Sequence, residues 1–454
     1  MTVMKRIIIL TIGLLVLLPG CNKINGNGEE APVEEPVENT DVIPIQDVEY
    51  GFLSDGAPEE LSASEQENVC SVNTFAMTAA RQFGKTVAGN YVFSPVSLAY
   101  LLGMLSDGAA GQTRDEICAA LGFGAEDQQE INEFCRDLMV LTKRNSSETE
   151  VLELANTCVA DNEFRMKEDY RKSLHNYYDA LVRNFDFLKD DVAGYINNWA
   201  SDHTNGHVNN IVDQVKKEDV MFLVNGMYFK GKWAQPFSPG VRQETFYKET
   251  GEKESVDMMA ALFKNARYYK GDGFQVATLD YGQAEPADYS MSFFLPDIGK
   301  GAFLPGFYDG VTLAVMLSRL DGGAIAKALS SSEKAWVYIQ IPKYKIITDK
   351  SIIYDFKSLG MGTMFNDKAA DFSHMSSGQR ALYVSEMRHV ASISIDENGC
   401  EAAAVSNAVL SDPIAPPPSG DTPPIIEFTA DHPFMFLITE RSTGAILFMG
   451  CYKE

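Results

Sequence analysis

The sequence predicts an α+β fold built as one domain, and three observations predict it. Helical and strand patterns alternate in mixed order from about residue 65 to the C-terminus, with no internal repeat. Val220 to Phe229 is a near-continuous apolar run, as a strand buried on both faces requires. Hydrophobic residues make up 45% of the 454, enough for a large packed core.

The elements follow from local patterns. Val72, Phe75, Ala76, Ala79 and Phe83 share one face of a helix over Val69 to Phe83. Ser94 caps a second helix, with Pro95 in its first turn and Asp107-Gly108 at its close. Gln112 to Leu121 and Asp127 to Leu141 read as helices, Val151 to Val159 as a strand. A helix near Glu168 to Asn176 precedes a strand at Leu181 to Phe187, and Gly206 ends a helix over Tyr195 to Thr204. Short strands are expected at Ser255 to Met258, Gln275 to Leu279 and Tyr289 to Leu295, then helices near Thr312 to Leu320 and Ile325 to Leu329. A strand block at Ala335 to Ile347 and a helix at Ile352 to Leu359 come next. The last strands are Arg388 to Ile395, Phe434 to Ile438 and Ala445 to Tyr452.

Residues 1–20 have the form of a signal peptide. Lys5 and Arg6 precede an apolar stretch, Ile7 to Leu18, that is too short to span a bilayer of about 30 Å comfortably. Leu18-Pro19-Gly20-Cys21 resembles a bacterial lipoprotein processing site, which would place a lipid on Cys21. Residues 21–64 are rich in Glu, Pro, Gly and Asn and poor in large apolar residues, the composition of a disordered acidic tether. The expected location is the bacterial cell envelope, at the outer membrane or cell surface, held only by that lipid. A net charge of −25 argues against nucleic acid or an anionic membrane surface as partner. The other six cysteines lack the close paired spacing of a zinc site and read as buried free thiols, except Cys400 on a loop.

The most informative stretch runs from Glu397 to Leu410. Cys400, Ala402, Ala404, Ser406, Ala408 and Leu410 would share one small or apolar face of a strand. Gly399 offers a pivot without steric cost, and the Pro-rich run 413–424 can be neither helix nor central strand. Such a segment can be an exposed loop in one state and a half-buried strand in another.

Ile395 to Ala404 closely resembles the hinge of the reactive loop in serpins, the loop-inserting protease inhibitors. Phe93-Ser94-Pro95-Val96-Ser97, Asn225 with Tyr228-Phe229-Lys230-Gly231-Lys232-Trp233, and Asp431-His432-Pro433-Phe434-Met435-Phe436 are similar to other motifs of that family, in its order. The resemblance covers residues 65–454. It implies three β-sheets with about nine surrounding helices and an exposed reactive-centre loop at about 398–424. It implies a hinge at Glu397, Gly399, Cys400, Glu401, Ala402, Ala403 and Ala404. Beneath the centre of the main sheet it places Ser94, Ser97, Asn225 and His389. At the loop-entry end it places Trp233 beside a Lys343–Glu397 ion pair.

The implied activity is suicide inhibition of serine, or cysteine, endopeptidases by a monomer. The protease attacks the loop, forms a covalent acyl-enzyme, and is carried away as the cleaved loop enters the sheet. Cys400 to Pro413 would span about 45 Å at ~3.3 Å per residue. The family's usual spacing, counted from Glu397, reaches Pro413, whereas counting back from Phe428 and Pro433-Phe434 lands near Ser419 or Gly420. The two counts stay apart, so the loop is longer than usual. Ile414–Ala415 is the favoured scissile bond and suits an elastase-like pocket; Leu410–Ser411 and Pro413 are alternatives. No Lys or Arg lies from Cys400 to Pro424, which argues against trypsin-like targets.

No Gly-x-Ser-x-Gly, His-Glu-x-x-His or phosphate-cradling loop occurs, and the six histidines are scattered, so neither an enzyme nor a cofactor or metal is expected. The competing reading is a non-inhibitory surface lipoprotein of the same fold that binds a partner through its long Pro-rich loop.

Overall fold

Ser62 opens the main folded body. Its hydroxyl accepts the Glu65 backbone N–H while the Glu65 carboxylate accepts that of Ser62, a reciprocal cap that starts the first helix at Ala63, well ahead of the expected Val69. The computed structural model describes residues 5–14, 58–124, 127–144, 147, 149–206, 208–297, 310–376, 382–400 and 423–454.

The first half contains β1 (Lys5–Leu14), α1 (Ala63–Thr86), β2 (Tyr91–Phe93), α2 (Pro95–Gly108), α3 (Gly111–Leu121), α4 (Gln128–Arg144), β3 (Glu150–Asp161), α5 (Glu168–Tyr178), β4 (Ala180–Phe185), α6 (Val192–Asp202) and β5 (Asp219–Lys232). Next come β6 (Arg242–Tyr247), β7 (Lys253–Lys270), β8 (Phe274–Asp280), β9 (Tyr289–Pro296), α7 (Leu313–Arg319), α8 (Gly322–Ser330), β10 (Glu333–Pro342), β11 (Tyr344–Ser351) and α9 (Ile353–Ser358). The chain closes with β12 (Leu382–Asp396), β13 (Gly399–Cys400), β14 (Ile426–Thr429), β15 (Phe434–Glu440) and β16 (Ile446–Tyr452).

The first sheet holds β11, β12, β5, β3 and β4, with β1 and β13 sharing the strand position between β12 and β5. The other nine strands are hydrogen-bonded into one continuous sheet, β14–β10–β7–β8–β9–β15–β16–β2 with β6 on β7. The α+β architecture stands as expected, and Val220 to Phe229 is buried throughout.

Several boundaries differ, for local reasons. The block Ala335 to Ile347 is two strands in different sheets. Pro342 has no N–H for a ladder, and the Lys343 N–H donates to the Asp257 carbonyl (2.7 Å) at the crossover. The short strand expected at Ser255 to Met258 is part of the 18-residue β7. Lys264 and Asn265 together oppose Trp336 there, a bulge that breaks the alternation. β2 and β14 are too short to stand out by pattern, and β6 is exposed over its first four residues, so no apolar alternation marks it.

The core explains how the first sheet is held. α2 is apolar all round and buried along its length apart from Asp107, and it packs beneath β5. On the opposite face α6 lays Val192, Ile196 and Trp199 over Phe222, Val224 and Tyr228. β1 alternates between the two sides: Ile7 and Ile9 join the main core and Ile8 the α6 cluster.

Candidate functional site at the head of the first sheet

β12 ends in a tight reversal that leads straight into β13. The Asp396 carboxylate accepts the N–H groups of Asn398 (2.8 Å) and Gly399 (3.2 Å), which fixes the turn. Burial raises the Asp396 pKa, while the Asn398 N–H and the charge of Lys343 offset part of the effect. Gly399 sits at φ +148°, where side chains are strained. A Cβ there would collide with the Gly231 carbonyl oxygen and lie 2.8 Å from the Lys232 Cα. Only glycine passes between the two strands at this point.

β13 then pairs antiparallel on both sides. Gly399 and Cys400 face Asp396 and Ile395 of β12, and Lys232 and Gly231 of β5. Glu397 and Asn398 are anchored from the other side: their carbonyls accept the N–H groups of Phe237 and Trp233 (both 2.9 Å). The Trp233 indole N–H donates to the Asp396 carbonyl (2.9 Å), and its ring stacks on Tyr281 at 4.6 Å and 10°. Lys343 Nζ donates to Glu397 Oε2 (2.9 Å). Burial works against the Lys343 charge, but Glu397, Asp396 and Asp257 outweigh it and raise its pKa. The pair is partly exposed and contributes at most about 1 kcal/mol. The Lys343–Glu397 ion pair is thus formed in the structure, while Trp233 is held by the adjoining Asp396 and Asn398 and by Tyr281.

Cys400 requires a correction. It was expected on an exposed loop, but it is fully buried, with its Sγ 3.0 Å from the Tyr281 hydroxyl. Two inserted residues are enough to carry it beneath the sheet surface. Glu401, Ala402, Ala403 and Ala404 lie outside the described residues, as do Leu410, Ser411, Pro413, Ile414, Ala415 and Cys21.

Ser94, Ser97, Asn225 and His389 are all fully buried. Three of them are brought together. The Ser94 hydroxyl accepts the Ser97 N–H (3.2 Å), and the Ser94 N–H points at His389 Nε2 (3.4 Å). Asn225 lies at the same height across the intervening strand position, because Thr11 of β1 pairs with both His389 and Asn225. The Asn225 amide turns instead to Asn156 Oδ1 (2.8 Å), and Asn156 donates on to the Tyr178 carbonyl (2.6 Å). Asn156 and Tyr281 were not found by sequence, since both act through partners far along the chain.

Two expected results arise here. Asn225→Ala leaves Asn156 Oδ1 buried without this donor, a loss of about 1–3 kcal/mol. A lowered melting temperature and faster opening between β5 and β12, read by hydrogen exchange, are the expected outcome; an unchanged exchange pattern would show that Asn225 does not hold these strands in place. Burial pulls the His389 pKa down to about 3; Lys350 adds to this and Asp349 opposes it. The unfolded chain takes this proton near pH 6.5, so the stability held by neutral His389 is full above that pH. It falls as pH drops toward 3, by up to about 1.4 kcal/mol per unit. Melting curves against pH for the wild type and His389→Gln should diverge over this window.

Among the described residues the cysteines are free thiols, and no group of three His, Cys, Asp or Glu stands ready to hold a metal. The head of the first sheet thus holds β13 against both β12 and β5, with a buried polar cluster lower in the same sheet.

Comparison with known proteins agrees. The family model described as "Serpin (serine protease inhibitor)" matches residues 70–453, and the chain belongs to the serpin family. Intracellular coagulation inhibitor 2 of Tachypleus tridentatus is 30% identical, over 87% of this chain and 93% of its own. Serpin-ZX of Arabidopsis thaliana is 29% identical, over 85% and 97%. Among solved structures, Arabidopsis AtSerpin1 in its native stressed conformation superposes with a TM-score of 0.70 at 26% identity, covering 87% of this chain and 99% of its own. The thermophilic serpin tengpin in its native state gives 0.72 at 24% identity, covering 87% and 95%, which shows the shared fold. Members of this family are in general protease inhibitors rather than enzymes, and their partners are proteases.

Proposed function

We propose that this chain is a monomeric suicide inhibitor of serine endopeptidases. It traps the acyl-enzyme by drawing its cleaved loop into the first sheet. The observation that carries the reading is β13. Gly399 and Cys400 already bond to β12 and β5 at once, antiparallel to both, at the head of the position that the rest of the loop would fill. Strand addition completes two ladders and so stabilises the product. The absence of Lys and Arg from Cys400 to Pro424 favours elastase-like over trypsin-like targets, with Ile414–Ala415 as the bond cut.

Incubation with a panel of serine and cysteine proteases tests this. The expected result is an SDS-stable complex with an elastase-like enzyme and a released fragment beginning at Ala415. Cleavage without any stable complex would overturn the proposal. It would favour the second reading, a surface binding protein, which rests on Pro413 and Pro416–Pro418 in the lengthened loop. The fold admits such a role: thyroxine-binding globulin complexed with thyroxine superposes with a TM-score of 0.70.

The envelope location is part of the same proposal. Residues 1–20 would be removed and Cys21 lipidated, with residues 22–64 holding the inhibitor off the membrane. Mass spectrometry of the chain from a bacterial membrane fraction should find the lipid on Cys21, and Cys21→Ser should abolish it.

A further inference from the structure

We propose that Lys5–Leu14 is a built-in occupant of the loop's own strand position. A chain that retains this segment is closed to loop insertion and becomes an inhibitor when the segment leaves. This rests on the inhibitory reading above.

The register carries the argument. Cys400 faces Ile395, and each further residue of an advancing loop steps one residue back along β12. Residue 403 would therefore face Ser392, and residue 413 would face Leu382. Those are the two ends of the β1 ladder, in which Leu14 faces Ser392 and Lys5 faces Leu382. On the other side β1 runs along β5 from Asp219 to Tyr228. The two segments thus claim the same sites from Ala403 to Pro413, and Leu14 stops a few residues short of Cys400.

β1 runs parallel to its neighbours and β13 antiparallel. Because β5 and β12 run in the same direction, a strand of either polarity can satisfy both edges. The slot therefore selects for apolar, strand-forming residues more than for direction. Ile7, Ile8 and Ile9 meet that demand on both faces, each at most 5% exposed. At the sites of Ile7, Ile8 and Ile9 the same register would bring Ser411 or Leu410, Val409 and Ala408 of the loop, so β1 is apolar and β-branched at all three where the loop is mixed. The segment that reads as an export signal holds both edges of the slot, and its removal would vacate the site.

Hydrogen exchange and peptide uptake on the unprocessed chain 1–454 test this. Amides of residues 5–14 should exchange at least about 100-fold more slowly than in a free peptide. A synthetic peptide of residues 402–413 should not be taken up by the wild-type chain. The Ile7→Asp/Ile9→Asp variant of the same chain should release the segment and bind the peptide. Free exchange across residues 5–14, or equal peptide uptake by both chains, would overturn the inference. Should the variant misfold, the wild-type exchange pattern alone decides. A variant that binds the peptide yet traps no protease supports the occupant while sinking the inhibitor reading.

Discussion

Ala404→Glu converts the protein from a trap into a substrate: proteases cut the loop, are released, and no SDS-stable complex survives. The expectation follows from the register at the head of the sheet. With Cys400 opposite Ile395 and Gly231, residue 404 of an inserted loop comes opposite Ala391 and Met227. Even-numbered loop residues then share the face of Cys400, which is buried against the main core. A carboxylate placed there has no partner, and burying it costs several kcal/mol. A barrier raised by about 3 kcal/mol slows insertion on the order of 100-fold. Hydrolysis of the acyl-enzyme then wins. The measurement is the number of inhibitor molecules consumed per protease inactivated, which should rise from near one to a value too large to define. A variant that still traps protease at wild-type stoichiometry would remove insertion from the mechanism.

Gly399→Val should disable the protein at an earlier step. The residue has φ +148°, and a Cβ would run into the backbone of Gly231 and Lys232. The strain cannot be relieved by a side-chain rotation, since the atoms met belong to β5 itself. β13 must therefore leave the sheet, and with it the Cys400–Tyr281 contact. Two readouts should change together. The Cys400 thiol, fully buried in the wild type, becomes reactive toward alkylating reagents, and complex formation is lost. Protected Cys400 in a folded Gly399→Val chain would contradict the assigned geometry.

The residues that were legible in the sequence carry their signal locally. Gly399 and the small residues after it announce a chain that must pivot and slide. Ser94-Pro95 announces a capped helix start, and the apolar run through β5 a strand covered on both sides. The serpin-like order of these motifs then supplied the ion pair of Lys343 with Glu397, which spacing alone does not reveal. Other features depend on pairings between distant segments. Tyr281 meets Cys400 from 119 residues away, and Asn156 takes the amide of Asn225 from a neighbouring strand. Cys400 was placed on an exposed loop because a two-residue strand leaves no periodicity to read. The division at Lys343 is hidden for a related reason: β10 and β11 both alternate buried and more exposed residues, and only Pro342 at the end of β10 marks the change of sheet. The strand formed by Lys5–Leu14 could not be foreseen from a pattern shared with export signals, because the largely apolar run from Ile7 suits a membrane and a sheet position equally well.

Thermal melting of the chain lacking residues 1–20, before and after a single cut in the loop, tests the central claim most directly. If the severed segment becomes a strand between β5 and β12, about twelve residues gain ladder bonds and burial worth on the order of 10 kcal/mol in all. For a domain of this size that raises the melting temperature by about 12 °C. An unchanged melting temperature, with the cut segment still open to further proteolysis, would contradict the account.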